Sequence, residues 1–301
     1  ERFNNHAINF DTEEVRFKLD ENSKPIGVYL KVQREANFLI EEMMLLANKK
    51  VAERIGKRNA KNKEIKTFIY RIHDEPINDK VEQFKSFVSK LGFELRSGSR
   101  KQFTDSLNQM FDKAKDKNEY NLLGQLSIRM MARAIYSTEN IGHYGLAFPF
   151  YTHFTSPIRR YPDLMVHRLL EAYLHNEPSV KQNEYEDYCK HCSLMEQKAT
   201  EAERASVKYK QAEYLADKIG QVFEATVSGI AKWGVFAELK ESKCEGLIPM
   251  KNFTDDFYYI DEDNYTLIGL HKGNNIRFGD TIKVKVMEVD LQRKSMTFGI
   301  C

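Results

Sequence analysis

From Glu184 to Lys218 the sequence contains neither glycine nor proline, and beyond Gly220 its texture changes. Within the first stretch Tyr188, Cys192, Met195, Ala199, Ala202, Ser206 and Tyr209 recur in alternating steps of four and three. That spacing lines side chains along one seam of a helix, and the small residues in it predict one long helix packed closely on a neighbour. Gly220 stands where a helix-ending glycine belongs, because a residue without Cβ enters the left-handed region at little cost. After it come five short β-rich runs: Val222–Val227, Gly234–Leu239, Glu245–Pro249, Tyr265–Leu270 and Thr281–Val289, with Ser295–Ile300 trailing the last turn. Five strands in about 80 residues, separated by glycine turns, predict a small closed barrel of OB architecture. The chain therefore divides into 1–217 and 218–301.

The first part reads as helices packed on strands, which makes the whole an α+β fold. Ala7–Lys31 alternates through Ile8, Phe10, Val15, Phe17 and Leu19, with Asn22-Ser23-Lys24-Pro25 as the turn of a hairpin. Ala36–Ile55 carries Phe38, Leu39, Met43, Leu46 and Val51 at helical spacing. Thr67–Ile72 reads as a short buried strand stopped by Asp74-Glu75-Pro76, and helices are predicted at Asp79–Leu91, Ser99–Lys115, Leu123–Tyr136 and Pro162–His175.

Composition narrows the function classes. With 301 residues, about two domains are expected. The net charge of +2 offers no general polycationic attraction, so any nucleic acid must meet a locally arranged groove. Four cysteines are too few for a disulfide scaffold. Cys189 and Cys192 form a CxxC without a second pair, so two reduced helical thiols are expected rather than zinc. No apolar run of about 18 residues is present, which gives no support for a membrane span and leads to the expectation of a cytoplasmic protein. The chain opens at Glu1, without an initiator Met, directly in structured-looking sequence, as expected for a piece of a longer product.

Tyr151–Arg168 carries the densest chemistry: YTHFTSPIRRYPDLMVHR. Pro157 and Pro162 fix φ and forbid a continuous helix, holding hydroxyls and guanidinium groups on a stiff loop that enters a helix. A guanidinium fork suits phosphate through paired charge-assisted hydrogen bonds. The alternative is a structural loop whose arginines pair with acids such as Asp163. In the β-rich part, Trp233 and Phe236 flank Gly234 beside Lys232, an arrangement suited to stacking bases while a cation meets phosphate. Alternation predicts that one of these rings is exposed, with Phe236 the expected one. His73 and His143 are expected to be buried, hydrogen-bonded histidines.

HFTSPIRRYPDLMVHR resembles the signature of the RNB exoribonucleases, the ribonuclease II/R group, and its Ile-Arg-Arg-Tyr-Pro-Asp wording lies on the ribonuclease R side. LIEEMMLLAN at Leu39–Asn48, YRIHDEP at Tyr70–Pro76, GHYGLA at Gly142–Ala147 and AER at Ala202–Arg204 support the resemblance in order over most of residues 7–217. Gly220–Ile300 is similar to the S1 motif, an RNA-binding OB domain. The resemblance implies the later part of an RNB catalytic domain followed by an S1 barrel. It also implies processive 3′→5′ digestion of single-stranded RNA to nucleoside 5′-monophosphates, with magnesium held by an aspartate cluster of the form DxxxxxDxDD. These 301 residues lack that cluster, so the isolated chain is expected to be inactive, with no metal ligands of its own. Asp255-Asp256 with Asp261 and Asp263 reads as a solvated acidic loop.

By the same resemblance, Arg159 contacts the phosphate near the scissile bond and Glu203 reaches the 3′-terminal nucleotide. Arg160, Tyr151 and Ser156 are further RNA-binding candidates, with His153 and Thr155 beside them. Arg160 has an ion pair as its alternative role, and Glu203 has pairing with Arg204 or Lys208. A competing function is a non-catalytic RNA-binding protein on the same scaffold.

Overall fold

The computed structural model describes residues 14–31, 34–58, 65–96, 98–115, 120–254, 256–261 and 266–301. Strands β1 (Glu14–Leu19) and β2 (Pro25–Lys31) form an antiparallel hairpin. Its turn is braced by the Asp20 carboxylate, which accepts the backbone N–H of Asn22 at 2.9 Å and of Lys24 at 2.8 Å. Ala7, Ile8 and Phe10 of the expected hairpin lie outside the described residues.

Helix α1 (Glu35–Gly56) follows, and then β3 (Tyr70–Ile72). Only the last three residues of the expected Thr67–Ile72 strand pair. Phe68 and Ile69 are nonetheless fully buried, and Thr67 is held by Ser179 and Tyr173. Helices α2 (Asn78–Lys90), α3 (Arg100–Ala114) and α4 (Tyr120–Met130) share their own core, centred on Val88, Leu107, Met110 and Leu123.

The expected helix Leu123–Tyr136 is corrected by the structure. It stops at Met130, and Ile135–Ser137 is instead strand β4, paired antiparallel with β3. Tertiary partners outweigh helix propensity here. The Tyr136 N–H is bonded to Ser193 Oγ, and the Tyr136 ring lies 4.6 Å beneath the Arg71 guanidinium.

Helices α5 (Tyr161–Leu174) and α6 (Gln182–Ala216) complete the first part. Ala52, Phe68, Ile69, Val166, Leu169 and Cys189 form its main core. Helix α6 serves two cores. Cys189 and Cys192 pack in the first part, whereas Ala212 and Leu215, near its C-terminal end, are buried in the core of the barrel. The hairpin leans on the same end of α6 through Phe17 against Tyr214 and Lys24 against Asp217 at 2.7 Å.

Beyond Gly220, which takes φ +89°, strands β5 (Val222–Ala231), β6 (Gly234–Leu239) and β7 (Glu245–Pro249) form a meander. A single 3₁₀ turn at Met250–Asn252 follows. β8 (Tyr258–Asp261), β9 (Thr266–Gly269) and β10 (Asn275–Arg277) then form a separate three-stranded sheet, before β11 (Thr281–Asp290) and β12 (Ser295–Ile300). The closed barrel has the order β11-β12-β7-β6-β5 and seals where β11 meets β5.

The expected barrel composition is therefore corrected at one strand. The run around residues 266–270 belongs to the inserted sheet, and Ser295–Ile300 is the fifth barrel strand. An alternating pattern marks a strand without naming its partner, and β12 gains its place by pairing with β11 and bridging to β7 at Thr297 and Leu247. Gly246 explains the fit: a Cβ there would sit 2.6 Å from the ring of Phe298, which fills the barrel interior.

Candidate nucleic-acid interface

The loop from Tyr151 to Arg160 is anchored at almost every step before it reaches its tip. Arg71 of β3 donates its N–H to the Tyr151 carbonyl at 2.9 Å, and Thr152 Oγ1 donates to the Ile69 carbonyl at 2.7 Å. Asn48, buried on α1, works in two directions. Its Nδ2 donates to the Tyr151 hydroxyl at 3.1 Å, and its Oδ1 accepts the Phe154 N–H at 3.0 Å. The His167 ring stacks on Phe154 at 4.0 Å while its Nε2 meets the Phe154 carbonyl at 2.8 Å.

At the turn around Pro157, the Ser156 carbonyl accepts the N–H groups of Arg159 and Arg160. The Ser156 N–H donates to Asp163 Oδ2 at 2.8 Å. Asp163 is fully buried in the first turn of α5 and also receives Arg160 Nη2 at 2.8 Å. Thr155 Oγ1, Arg160 Nε and Asp163 Oδ1 are buried here without a hydrogen-bond partner among the described residues.

The two arginines thus part company. Arg160 is half-buried and paired with Asp163, whereas Arg159 stands exposed at the tip beside Ile158, with no ion pair among the described residues. Tyr151, expected as an RNA-facing residue, is buried and belongs to the scaffold of the loop.

Behind the loop runs a chain of rings. His73 donates Nε2–H to the Ala132 carbonyl at 2.8 Å and accepts the Gly145 N–H on Nδ1 at 2.9 Å, which defines a neutral ring. Its neighbour His143, 4.9 Å away, is pushed down to about 3 by burial, with His73 and Arg71 adding to the effect. Tyr151 sits edge-on to both His143 and His153. A hydrogen bond of 2.8 Å joins His153 Nδ1 to the Tyr136 hydroxyl. Burial, followed by Arg160 and Arg71, lowers His153 to about 2. A histidine that cannot take a proton beside three arginines adds no positive charge that would repel them. His73 and His143 are part-buried rather than fully buried, and both accept a backbone N–H as expected.

Arg71 pairs with Glu196 of α6 at 2.5 Å. Glu203 lies seven residues beyond Glu196, so the two share a helix face about 10 Å apart. Glu203 is exposed, and no ion pair with Arg204 or Lys208 engages it among the described residues. Among the described residues no hydrogen bond or ion pair joins Arg159 to Glu203. Arg71 and Asn48 lie in the quoted YRIHDEP and LIEEMMLLAN matches but were given no role, and Glu196 and Tyr136 were not singled out from sequence. The available signal was an Asn within the apolar stripe of α1.

On the barrel, the expectation that Phe236 is the exposed ring is corrected. Trp233 is 63% exposed, whereas Phe236 is half-buried. Val235 and Ala237 point inward, so Phe236 does face outward, but it lies across Gly229 of β5. Trp233 sits in the β5–β6 turn, where strand alternation does not apply, with exposed Lys232 beside it.

Among the described residues no group of three or more His, Cys, Asp or Glu side chains could hold a metal ion. Asp255 and Asp263 of the acidic loop lie outside them. Asp256 is occupied otherwise, accepting the backbone N–H groups of Lys272, His271 and Phe257, and these bonds hold its carboxyl below the usual range. Cys189 and Cys192 are buried free thiols.

A rigid arginine loop on an α+β body, joined by one helix to an OB barrel with an exposed tryptophan, is the layout of a nucleic-acid-binding protein. The sequence matches the RNB domain family over residues 1–176 and the S1 RNA binding domain family over residues 216–300. The chain belongs to the RNB family. It is 39% identical over 298 residues to ribonuclease R of Thermotoga maritima, covering 97% of this chain and 41% of the relative, so it spans about two-fifths of that protein. The solved structure of Mycoplasma genitalium RNase R in complex with ribose methylated single-stranded RNA superposes with a TM-score of 0.86 at 28% identity, covering all of this chain and 47% of the other. Yeast Ssd1, described as a pseudonuclease, superposes with a TM-score of 0.60 at 25% identity over 77% of this chain and 29% of its own.

Proposed function

We propose that this chain forms the later part of the catalytic domain and the S1 barrel of a processive 3′→5′ exoribonuclease. The complete protein degrades single-stranded RNA to nucleoside 5′-monophosphates in the cytoplasm. The observation that carries the reading is the exposed Arg159, without an ion pair among the described residues, on a loop fixed by Asp163, Asn48 and Thr152. A guanidinium held in place before the substrate arrives can meet charge that develops on a phosphate without reorganising. The likeness to ribonuclease R over nearly the whole chain supports it.

In this reading Arg159 contacts the phosphate near the scissile bond, and Glu203 accepts from the ribose hydroxyls of the 3′-terminal nucleotide. Arg160, Ser156 and Tyr151 act through the loop, by fixing where Arg159 stands. Lys232, Trp233 and Phe236 hold the strand upstream on the barrel. Magnesium chemistry in the complete protein would require carboxylates outside the described residues.

The test is the complete protein with magnesium and a 5′-labelled oligoribonucleotide. Stepwise shortening with release of 5′-mononucleotides is expected. Binding without shortening would favour the alternative, a non-catalytic RNA-binding protein on the same scaffold, to which the weaker likeness to Ssd1 lends less support.

A further inference from the structure

The segment between β7 and β11 does not contribute a barrel strand. Its three-stranded sheet borders a cavity of about 440 Å³ lined by Phe253, Thr254, Asp256, Phe257, His271 and Lys272. Phe257 is 74% exposed, more than any other aromatic ring among the described residues. Burial does not hold this ring in place. Hydrogen bonds fix the backbone beneath it: the Phe257 N–H donates to Asp256 at 2.7 Å and its carbonyl accepts the Leu270 N–H at 2.9 Å.

The Asp256 carboxylate accepts the backbone N–H of Phe257 at 2.7 Å, of His271 at 3.0 Å and of Lys272 at 2.7 Å. One side chain thereby ties the two lips of the cleft together, with the His271 ring 5.9 Å from Phe257 and nearly perpendicular to it. The Lys272 ammonium has no carboxylate partner among the described residues.

We propose that this cleft is a second binding subsite for single-stranded RNA, separate from the barrel face, in which an unpaired base stacks on Phe257 and Lys272 meets the adjoining phosphate. The inference rests on the reading of the chain as RNA-binding. An exposed ring beside a cation is the pairing that single strands use, since every base offers a π-face and every step a phosphate. A cleft already ordered by Asp256 loses little freedom on binding. Beyond the rings the lining is polar, with Thr254, Asp256 and Lys272, and the exposed Leu270 beside it adds too little apolar surface for the core of a protein interface. The cleft also lies within the stretch matched by the S1 RNA binding domain.

The chain has one tryptophan, Trp233, so the subsite can be made to report itself. In the Trp233→Phe/Phe257→Trp double variant, short oligouridylate should quench the emission saturably, at the concentrations where fluorescence anisotropy of labelled RNA shows binding. In the otherwise native chain Phe257→Ala should weaken binding about tenfold, and Lys272→Gln should reduce the slope of log affinity against log salt by about one. Phe257 is exposed, so the fold should survive; should Phe257→Ala unfold, the tryptophan variant decides. RNA binding by the native chain that persists at full strength after Phe257→Ala, with an unquenched tryptophan at that position, overturns the subsite and leaves the barrel face as the binding surface. A native chain that binds no oligouridylate at all overturns the RNA-binding reading together with the subsite.

Discussion

Arg160 and Asp163 are joined at 2.8 Å inside the first turn of α5, and this pair fixes which of two adjacent arginines is open to a ligand. Asp163 is fully buried and also holds the Ser156 N–H, so it closes the turn that leaves Arg159 outside. Asp163→Ala would strand the Arg160 guanidinium and free the turn. Losing one partner of a buried pair costs about 3–5 kcal/mol, which urea unfolding of the chain should show. A loss below about 1 kcal/mol would mean that the loop is fixed elsewhere.

The same division predicts different kinetics for the two arginines in the complete protein. Arg159→Lys keeps the charge and loses the two-pronged fork. If Arg159 acts on charge formed in the transition state, single-turnover cleavage should slow by about 10²–10³ while the RNA dissociation constant changes little. Arg160→Lys should lower stability first and rate second. Equal effects, or a loss confined to binding, would leave Arg159 as a holder of RNA only.

Burial of the ring chain sets a pH dependence. His143 falls to about 3 and His153 to about 2, so the folded state leaves both neutral where the unfolded chain takes protons below about 6.5. The unfolded state then binds more protons, and stability must fall as pH drops through 6.5 toward these values, while it is level above 6.5. Between pH 6.5 and 5 the slope should approach about 1.4 kcal/mol per unit for each histidine. His73 is lowered by burial as well and adds to the same fall, whereas carboxylates with depressed values, such as Asp256, act mainly below this window. Urea midpoints across that range, flattened in His153→Gln, check the assignment; an unchanged midpoint from pH 7 to 5 would refute it.

Sequence reading recovers most of this molecule where a local pattern is its own cause. The length of α6 and the glycine at its end follow from the sequence, but of its expected seam only Cys192 is buried, and Phe38, Leu39, Met43 and Leu46 on the expected apolar side of α1 are exposed. Partnership was not legible in the same way. Tyr136 continues a helical pattern, yet Arg71 and Ser193 draw it into a strand. Thr266–Gly269 and Ser295–Ile300 both read as strands, and only register decides which one closes the barrel. At the site, the sequence reading left Arg160 between RNA and an ion pair, and Asp163 supplies the ion pair. Asn48 closes the LIEEMMLLAN match, yet nothing in that match ties it to a loop more than 100 residues away.

The four cysteines offer a simple check of packing. Cys189, Cys192 and Cys244 are buried and Cys301 is exposed. Burial pushes Cys189 up to about 12 and Cys244 to about 11, so neither supplies thiolate at neutral pH. Titration of the native, reduced chain with a thiol reagent should give one fast equivalent, and denaturant should release the remaining three. Rapid loss of Cys189 or Cys192 in the native state would show that the junction of α6 with β3 and β4 is open.

The barrel face makes the last prediction. Trp233 is the chain's single tryptophan and stands in the β5–β6 turn beside Lys232, while Phe236 lies flatter against Gly229 on the same outer surface. A base stacking on Trp233 should quench its emission, and Trp233→Ala should weaken binding of single-stranded RNA by about 1–3 kcal/mol. Phe236→Ala should cost less in binding, because part of that ring is already covered by the barrel, but it should lower the stability of β5 and β6. The net charge of +2 gives no broad electrostatic pull, so affinity should decline only gently with salt. The two readouts separate a stacking face from an idle surface. Quenching that tracks binding, together with a larger loss for Trp233→Ala than for Phe236→Ala, places RNA on the turn. The reverse order would place the base on the strand, as alternation alone had suggested.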